Sequence, residues 1–179
     1  PNGINCSNGN NFSYNPSSQT FTGTSTNCYY PNPYTSDELA FAQHELCGNG
    51  SITAQVTSIT GSLGWAGITM RESNMPGAKK AQLTTNLSNF NRREFRTTTN
   101  GSANPHQFLS LNRYWLRITR SGNQFSMEVS PNGVAWFPAG FQNISMASCI
   151  EVGLVITNNS VNSTVSATFA NVSVTGTVG

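Results

Sequence analysis

Charge is what this chain has least of. Lys, Arg, Asp and Glu make up 9% of its 179 residues, where a soluble domain usually carries about a quarter. There is a single Asp, Asp37, beside six Glu. Glycoside hydrolysis needs two positioned carboxylates, and none are paired by spacing here: Asp37 and Glu38 are adjacent, while Glu45, Glu72, Glu94, Glu128 and Glu151 are scattered. No G-x-S-x-G occurs, and the two histidines, His44 and His106, stand far apart. The expectation is therefore a module that is not an enzyme. Calcium wants several oxygen ligands; Asp37 and Glu38 offer a weak site at most, zinc has no ligand pattern, and no cofactor is expected. The net charge of +2 comes from dispersed bases, which leaves no footprint for nucleic acid. No run of 18 apolar residues exists, so no membrane insertion is expected. No signal peptide is visible, and an opening on Pro1-Asn2-Gly3 suggests a processed or excised fragment.

What the chain has instead is amide and hydroxyl: 23 Asn, 22 Ser and 20 Thr. Ten Phe, five Tyr and three Trp supply a core and speak against disorder. The length suits one domain over 1–179, with 1–36 as a loop-rich N-terminal segment packed on it. Four cysteines, Cys6, Cys28, Cys47 and Cys149, lack any C-x-x-C pairing. An even number in such a composition favours two disulfides in an oxidising compartment over free buried thiols. Of three possible connectivities, Cys6–Cys28 with Cys47–Cys149 joins segments of like type. Nine N-x-Ser/Thr sequons, among them Asn5, Asn49, Asn100, Asn143 and Asn171, are what so Asn-rich a chain produces largely by chance.

Period-2 patterning dominates. In Tyr114–Gly140, Leu116 and Ile118 alternate with Trp115, Arg117 and Thr119. After Ser121-Gly122-Asn123, Phe125, Met127 and Val129 alternate with Ser126, Glu128 and Ser130. Alternation on both sides of a Gly-containing turn predicts a hairpin, and Pro131-Asn132-Gly133 turns the chain into a third strand near Trp136. Further strands are expected near Phe12–Tyr14, Thr20–Thr22, Ser51–Thr60, Trp65–Glu72, Ala81–Leu87, Arg92–Thr98, Ile150–Thr157 and Val165–Val174, with a loop over Thr99–Gln107. Asp37–Leu46 is the one helix-compatible stretch, but Leu39, Phe41 and Gln43 alternate, and a strand leading to a hairpin turn at Cys47–Gly50 is preferred. Ten to thirteen strands at regular spacing predict an all-β, antiparallel two-sheet sandwich.

Six pieces carry a resemblance. They are GSITAQV (50–56), AGITMRE (66–72), WLRITRSGNQF (115–125), SPNGVAW (130–136), VGLVIT (152–157) and TFANV (168–172). In this order they resemble bacterial extracellular modules of the concanavalin A-like lectin/glucanase superfamily, often labelled "regulation of enolase"-like, over roughly residues 37–176. The resemblance implies a jelly-roll sandwich from a large secreted or cell-surface protein, and no defined reaction. That family commonly has an acidic residue where Asn132 stands, and Cys47 is a departure that agrees with a disulfide.

Parity assigns faces. Arg71, Glu94, Arg96, Trp115, Arg117 and Glu128 fall opposite the apolar positions of their strands. If those strands are neighbours, one outward face collects them all. An indole can stack on a pyranose while Arg and Glu bond its hydroxyls; the bland alternative is a solvated, salt-bridged face that binds nothing. The CYYPNPY segment offers Tyr29, Tyr30 and Tyr34 on a Pro-stiffened loop, either as an aromatic contact surface or as a cap on the sandwich. The functional expectation is an extracellular, non-catalytic module that binds glycans or mediates adhesion. The alternative is a structural module or repeating subunit of a surface fibre, whose partners are neighbouring modules and whose strand edges permit self-association.

Overall fold

The computed structural model describes residues 2–4, 6, 8–29, 32–61 and 64–179. Thirteen strands follow one another, and among the described residues there is no helix: β1 (Asn2–Ile4), β2 (Asn8–Asn15), β3 (Thr20–Thr26), β4 (Leu39–Thr60), β5 (Gly64–Arg71), β6 (Lys80–Thr85), β7 (Phe90–Arg96), β8 (His106–Leu109), β9 (Trp115–Ser121), β10 (Gln124–Ser130), β11 (Phe137–Asn143), β12 (Cys149–Asn158) and β13 (Thr164–Val178). Every pairing between them is antiparallel.

The predicted hairpin is present, with Gln124 opposite Ser121 across a two-residue turn and Gly122 at φ 61°, the left-handed conformation such turns require. The predicted hairpin at Cys47–Gly50 is not. β4 instead runs on for 22 residues, and its two halves serve two different sheets. Residues 40–47 pair with β12, while residues 50–55 pair with β9. Gly48, at φ 74°, lets the strand swing between them. The first sheet is thus β2-β3-β13-β4-β9-β10-β11, and the second is β1-β4-β12-β5-β6-β7-β8, with β4 common to both. This is the jelly-roll sandwich. The stretch expected as a loop over Thr99–Gln107 ends in β8, an edge strand on β7.

Between the sheets lies one apolar core: Ile52, Ala54, Val56, Leu116, Ile118, Phe125, Met127 and Phe169 from the first sheet face Ile68, Met70, Leu83, Val152, Leu154 and Ile156 from the second. Cys47–Cys149 joins directly opposed residues of β4 and β12, and Cys6–Cys28 ties the N-terminal segment. The two sheets differ on their outer sides. β9 alternates buried with half-buried positions, as a strand wet on one face does. In β5 and β6 every residue is buried, because the chain folds its own segments over the second sheet. Ile4 packs with Leu39, Phe41 and Val155. Asp37 N–H donates to Pro76 O, Ala103 N–H to Tyr34 O and Asn100 N–H to Gly77 O, which stitches three connecting segments into one cover.

Candidate functional site

The residues grouped by parity separate onto opposite sides of the sandwich. Trp115, Arg117 and Glu128 lie on the outer face of the first sheet, where Arg117 and Glu128 are register partners and Arg117 Nε donates to Glu128 Oε2 at 2.7 Å. The Arg117 guanidinium also lies over the Trp136 ring, 4.1 Å from its centre. Trp115 sits under the following turn: a Cβ added at Gly133 would come within 2.8 Å of its ring. Arg117 and Glu128 are thus engaged with each other, and Gly133 packs beside the partly exposed Trp115 ring.

Arg71, Glu94 and Arg96 belong to the second sheet and do not meet Trp115. The expectation of a single shared face is corrected here: alternation tells which side of its own sheet a residue takes, not which sheet its strand joins. Nor is the group exposed. Cross-strand register sets Arg71, Lys80 and Arg96 in one row and Thr69, Gln82 and Glu94 in the next, all within 1% of full burial. Asp37 descends onto them from the cover. Its carboxylate accepts from Arg71 Nη1 and, at 2.8 Å on each oxygen, from Arg96, and Lys80 Nζ stands 3.0 Å away. Glu94 takes Lys80 at 3.3 Å and the Gln82 amide. Arg96 donates further to the carbonyls of Tyr34, Pro76, Ala78 and Gly101, and Arg71 to those of Ser73 and Met75. The network is what holds the cover down. Burial alone would raise the Asp37 carboxyl; Lys80, the Arg96 hydrogen bonds and Arg71 outweigh it and hold the group well below the usual carboxylate range. Burial pulls the Lys80 ammonium down, with Asp37 and Glu94 opposing. Both oxygens of Asp37 are thus committed to cations, while Glu38 turns to the Tyr29 backbone N–H, so these two carboxylates do not converge on a common ion site. Among the described residues, the grouping closest to a metal site is Glu45 with Cys47 and Cys149, whose sulfurs are bonded to each other.

Beyond the network, the same outer face opens into a polar cavity of about 370 Å³, lined by Tyr29, Tyr34, Arg92, Pro105, Gln107 and Asn159. β7 and β8 supply its floor, since Arg92 and Gln107 are register partners. The cover supplies its wall: Tyr29 bridges to Asn158, and Tyr34 takes φ 65° just after the cis Asn32–Pro33 bond. Tyr30, the third tyrosine of that segment, lies outside the described residues. The Arg92 guanidinium rests on the Trp65 ring, 4.6 Å from its centre, and both residues are nearly buried. Elsewhere on the second sheet, Thr84 Oγ1, Glu94 Oε1, Thr157 Oγ1 and Gln43 Oε1 are buried without a hydrogen-bond partner among the described residues. By register all four side chains belong to this face.

Sequence reasoning picked out Tyr29 and Tyr34 but missed Arg92, Gln107, Asn159 and Trp65. It also missed a carboxylate pair: Glu45 and Glu151 are direct register partners on adjacent strands, although distant in the chain. Burial and the neighbouring Glu45 push the Glu151 carboxyl up, with His44 opposing.

No family model matches the chain, and no curated protein matches it either. Solved structures do. A functionally unknown protein from Saccharomyces cerevisiae is 15% identical with a TM-score of 0.63, over 96% of this chain and 98% of that one. A Bacillus licheniformis β-glucanase is 9% identical with a TM-score of 0.54, covering 96% and 87%. A prokaryotic β-1,3-1,4-glucanase (lichenase) from a mouse hindgut metagenome is 9% identical with a TM-score of 0.53, covering 89% and 83%. The expectation that this chain is not an enzyme is overturned by those neighbours: its sandwich is one that glucanases use. At these identities the likeness is one of fold alone, the jelly-roll sandwich.

Proposed function

We propose that this chain is a carbohydrate-recognising jelly-roll protein of an oxidising, extracellular setting, and that it takes its glycan at the Tyr29–Tyr34–Arg92 cavity. The carrying observation is the convergence of two half-buried tyrosines with Arg92, Gln107 and Asn159 around about 370 Å³ of polar space, the size range of ligand sites. Tyrosine rings stack on the apolar side of a pyranose, and guanidinium and amide groups bond its hydroxyls in fixed directions. The glucanase neighbours support a sugar ligand at the level of fold, and the two disulfides support the compartment. The narrower likeness to "regulation of enolase"-type surface modules is part of the same proposal, with adhesion as the biological setting of the binding. A glycan array tests it. Wild type is expected to give hits that fall at least tenfold in Tyr34→Ala and in Gln107→Ala, both positions partly or fully exposed; a wild-type array without hits overturns the reading.

The Glu45–Glu151 pair favours a second reading, glycan cleavage. Directly opposed residues on antiparallel strands have Cβ atoms about 4.5–5.5 Å apart, which lets the two flexible side chains bring their carboxyl groups to the roughly 5–5.5 Å that a retaining pair uses. Glu151 with its raised pKa would be the proton donor. Release of reducing ends from array-positive glycans, abolished in Glu151→Gln, is the expected result; no release by wild type removes this reading and leaves the binding one.

A further inference from the structure

We propose that the outer face of the first sheet binds an ordered lattice, and that the lattice is ice. β3 carries Thr20, Thr22, Thr24 and Thr26, a threonine at every second position. Phe21 packs on the core, with Gly23 and Ser25 on its side of the strand, so the four threonines stand on the outer side. Register extends the pattern. Thr26, Thr24 and Thr22 lie opposite Thr164, Ser166 and Thr168 of β13. Ser166 and Thr168 lie in turn opposite Thr60 and Ser58 of β4. Ser13 of β2 faces Thr22 from the other side. Ten outward positions on four strands thus hold a hydroxyl, each exposed or half-buried, although Ser and Thr fill only 42 of the chain's 179 positions, 22 and 20 of them. The two outward positions left on the paired stretch of β2, Asn11 and Asn15, hold amides. None of these residues is charged.

Such an array repeats in two directions. Alternate residues of a strand are about 6.8 Å apart and neighbouring strands about 4.8 Å apart, repeats near those of the water oxygens on faces of hexagonal ice. Twist turns each strand from its neighbour, so the best-matched positions are those along the β3–β13 pair. There the hydroxyls are held before any ligand arrives. Thr24 Oγ1 and Ser166 Oγ are hydrogen-bonded at 3.0 Å, and Thr26 Oγ1 and Thr164 Oγ1 at 3.1 Å. β-Branching further restricts each threonine at χ1. A surface ordered in advance loses little freedom on binding. Charge fits as well. An ion keeps its own water shell, which an ice lattice does not contain, and the charged residues described on this outer face, Arg117 and Glu128, stand apart on β9 and β10. A crystalline polysaccharide would be gripped by aromatic platforms. Here the rings of β2 and β3, Phe12, Tyr14 and Phe21, turn to the inner side.

The test is ice-affinity partitioning of the whole chain, in which ice is grown slowly from a dilute solution that also holds serum albumin. Wild type is expected in the ice fraction while albumin stays in the liquid, and wild type is expected to slow recrystallisation of polycrystalline ice. Thr22→Lys, at an exposed position, is expected to lose both effects. Ser88→Lys places the same charge on the exposed β6–β7 turn and is expected to keep both. Thr24→Val keeps the side chain's shape, removes one hydroxyl pair, and is expected to lose part of the partitioning. Thermal unfolding of each variant separates loss of the face from loss of the fold. Exclusion of wild type from ice along with albumin overturns the proposal, and so does partitioning that a folded Thr22→Lys leaves intact. Exclusion from ice with retention on microcrystalline cellulose or chitin, lost in Thr22→Lys, also overturns it and gives the face to a polysaccharide lattice.

Discussion

The two outer faces of this sandwich are built from the same residue types, Arg and Glu on alternating strand positions, yet they do different work. On the first sheet, Arg117 and Glu128 form one half-exposed pair beside an aromatic lid. On the second, Asp37, Arg71, Lys80, Glu94 and Arg96 form a fully buried network, and the segments it clamps create a cavity. Exposure decides the difference. A charge pair in water is worth little, because solvent screens it and both side chains lose freedom. The same groups beneath a cover must satisfy one another completely, and removing one strands the rest. Where the chain folds over its own sheet, charge becomes architecture.

Asp37 is where this comparison breaks most sharply. It is the single carboxylate facing Arg71, Lys80 and Arg96 together, so Asp37→Ala is expected to cost about 3–5 kcal/mol, or roughly 10 °C in Tm for a chain of this length. The acid limb gives a second reading. Because the folded Asp37 carboxyl is held below its ordinary value, its contribution is complete above about pH 4 and is lost as pH falls from there. Glu38 and Glu151 are pushed up and act with the opposite sign, favouring the fold as pH falls toward about 5. Wild-type Tm should therefore hold or rise slightly from neutrality to about pH 5 and drop steeply below 4, with the drop flattened in Asp37→Asn. Parallel acid limbs in wild type and variant would show that the network does not depend on this residue.

Why the network escapes a reading of the sequence follows from where its members stand. Leu116, Ile118, Phe125, Met127 and Val129 announce their hairpin because neighbours in the chain are neighbours in the sheet. The alternation of β5 and β7 is legible in the same way, and it places Arg71, Glu94 and Arg96 correctly away from the core. What alternation does not carry is the cover, since that depends on contacts between 28–38, 72–79 and 97–105 with no shared periodicity. Lys80 and Gln82 show no sign of function in the sequence; they acquire partners only through register with Arg96 and Glu94. β8, His106–Leu109, gives no signal because three of its four residues are exposed and the strand has no buried face to alternate. Gly48 and Gly50 read as a turn, and the continuity of β4 through them is set by the two sheets on either side. Tyr29 and Tyr34 were visible as a stiff aromatic loop, but Arg92 became part of a site only once β7 stood beneath it.

The Cys6–Cys28 bridge sharpens the comparison next. It closes a separation of 22 residues, and its loss in Cys6→Ala/Cys28→Ala is expected to cost about 3 kcal/mol by loop-closure entropy. The location of the effect tells more than its size. The bridge belongs to the segment over the second sheet, so amide hydrogen exchange should accelerate most at Thr69, Gln82 and Glu94, beyond what the global loss explains. Amides of Arg117 and Ser126, on the uncovered sheet, should follow global stability alone. Uniform acceleration across both sheets would mean that the cover and the sandwich open as one unit.

The smallest effect belongs to the first sheet, and its smallness is the point. Arg117 and Glu128 are each about 30% exposed, joined by a 2.7 Å hydrogen bond, and Arg117 also lies on Trp136. Glu128→Ala leaves Arg117 on its ring in contact with water, and it is expected to cost less than about 1 kcal/mol, a shift of no more than 2–4 °C. It should leave glycan binding unchanged, because the cavity lies on the other side of the sandwich. Thermal unfolding beside the array measurement checks both parts. A loss of binding in Glu128→Ala with the fold intact would move the site back to the face on which alternation first placed Trp115, and would leave the covered face a purely structural one.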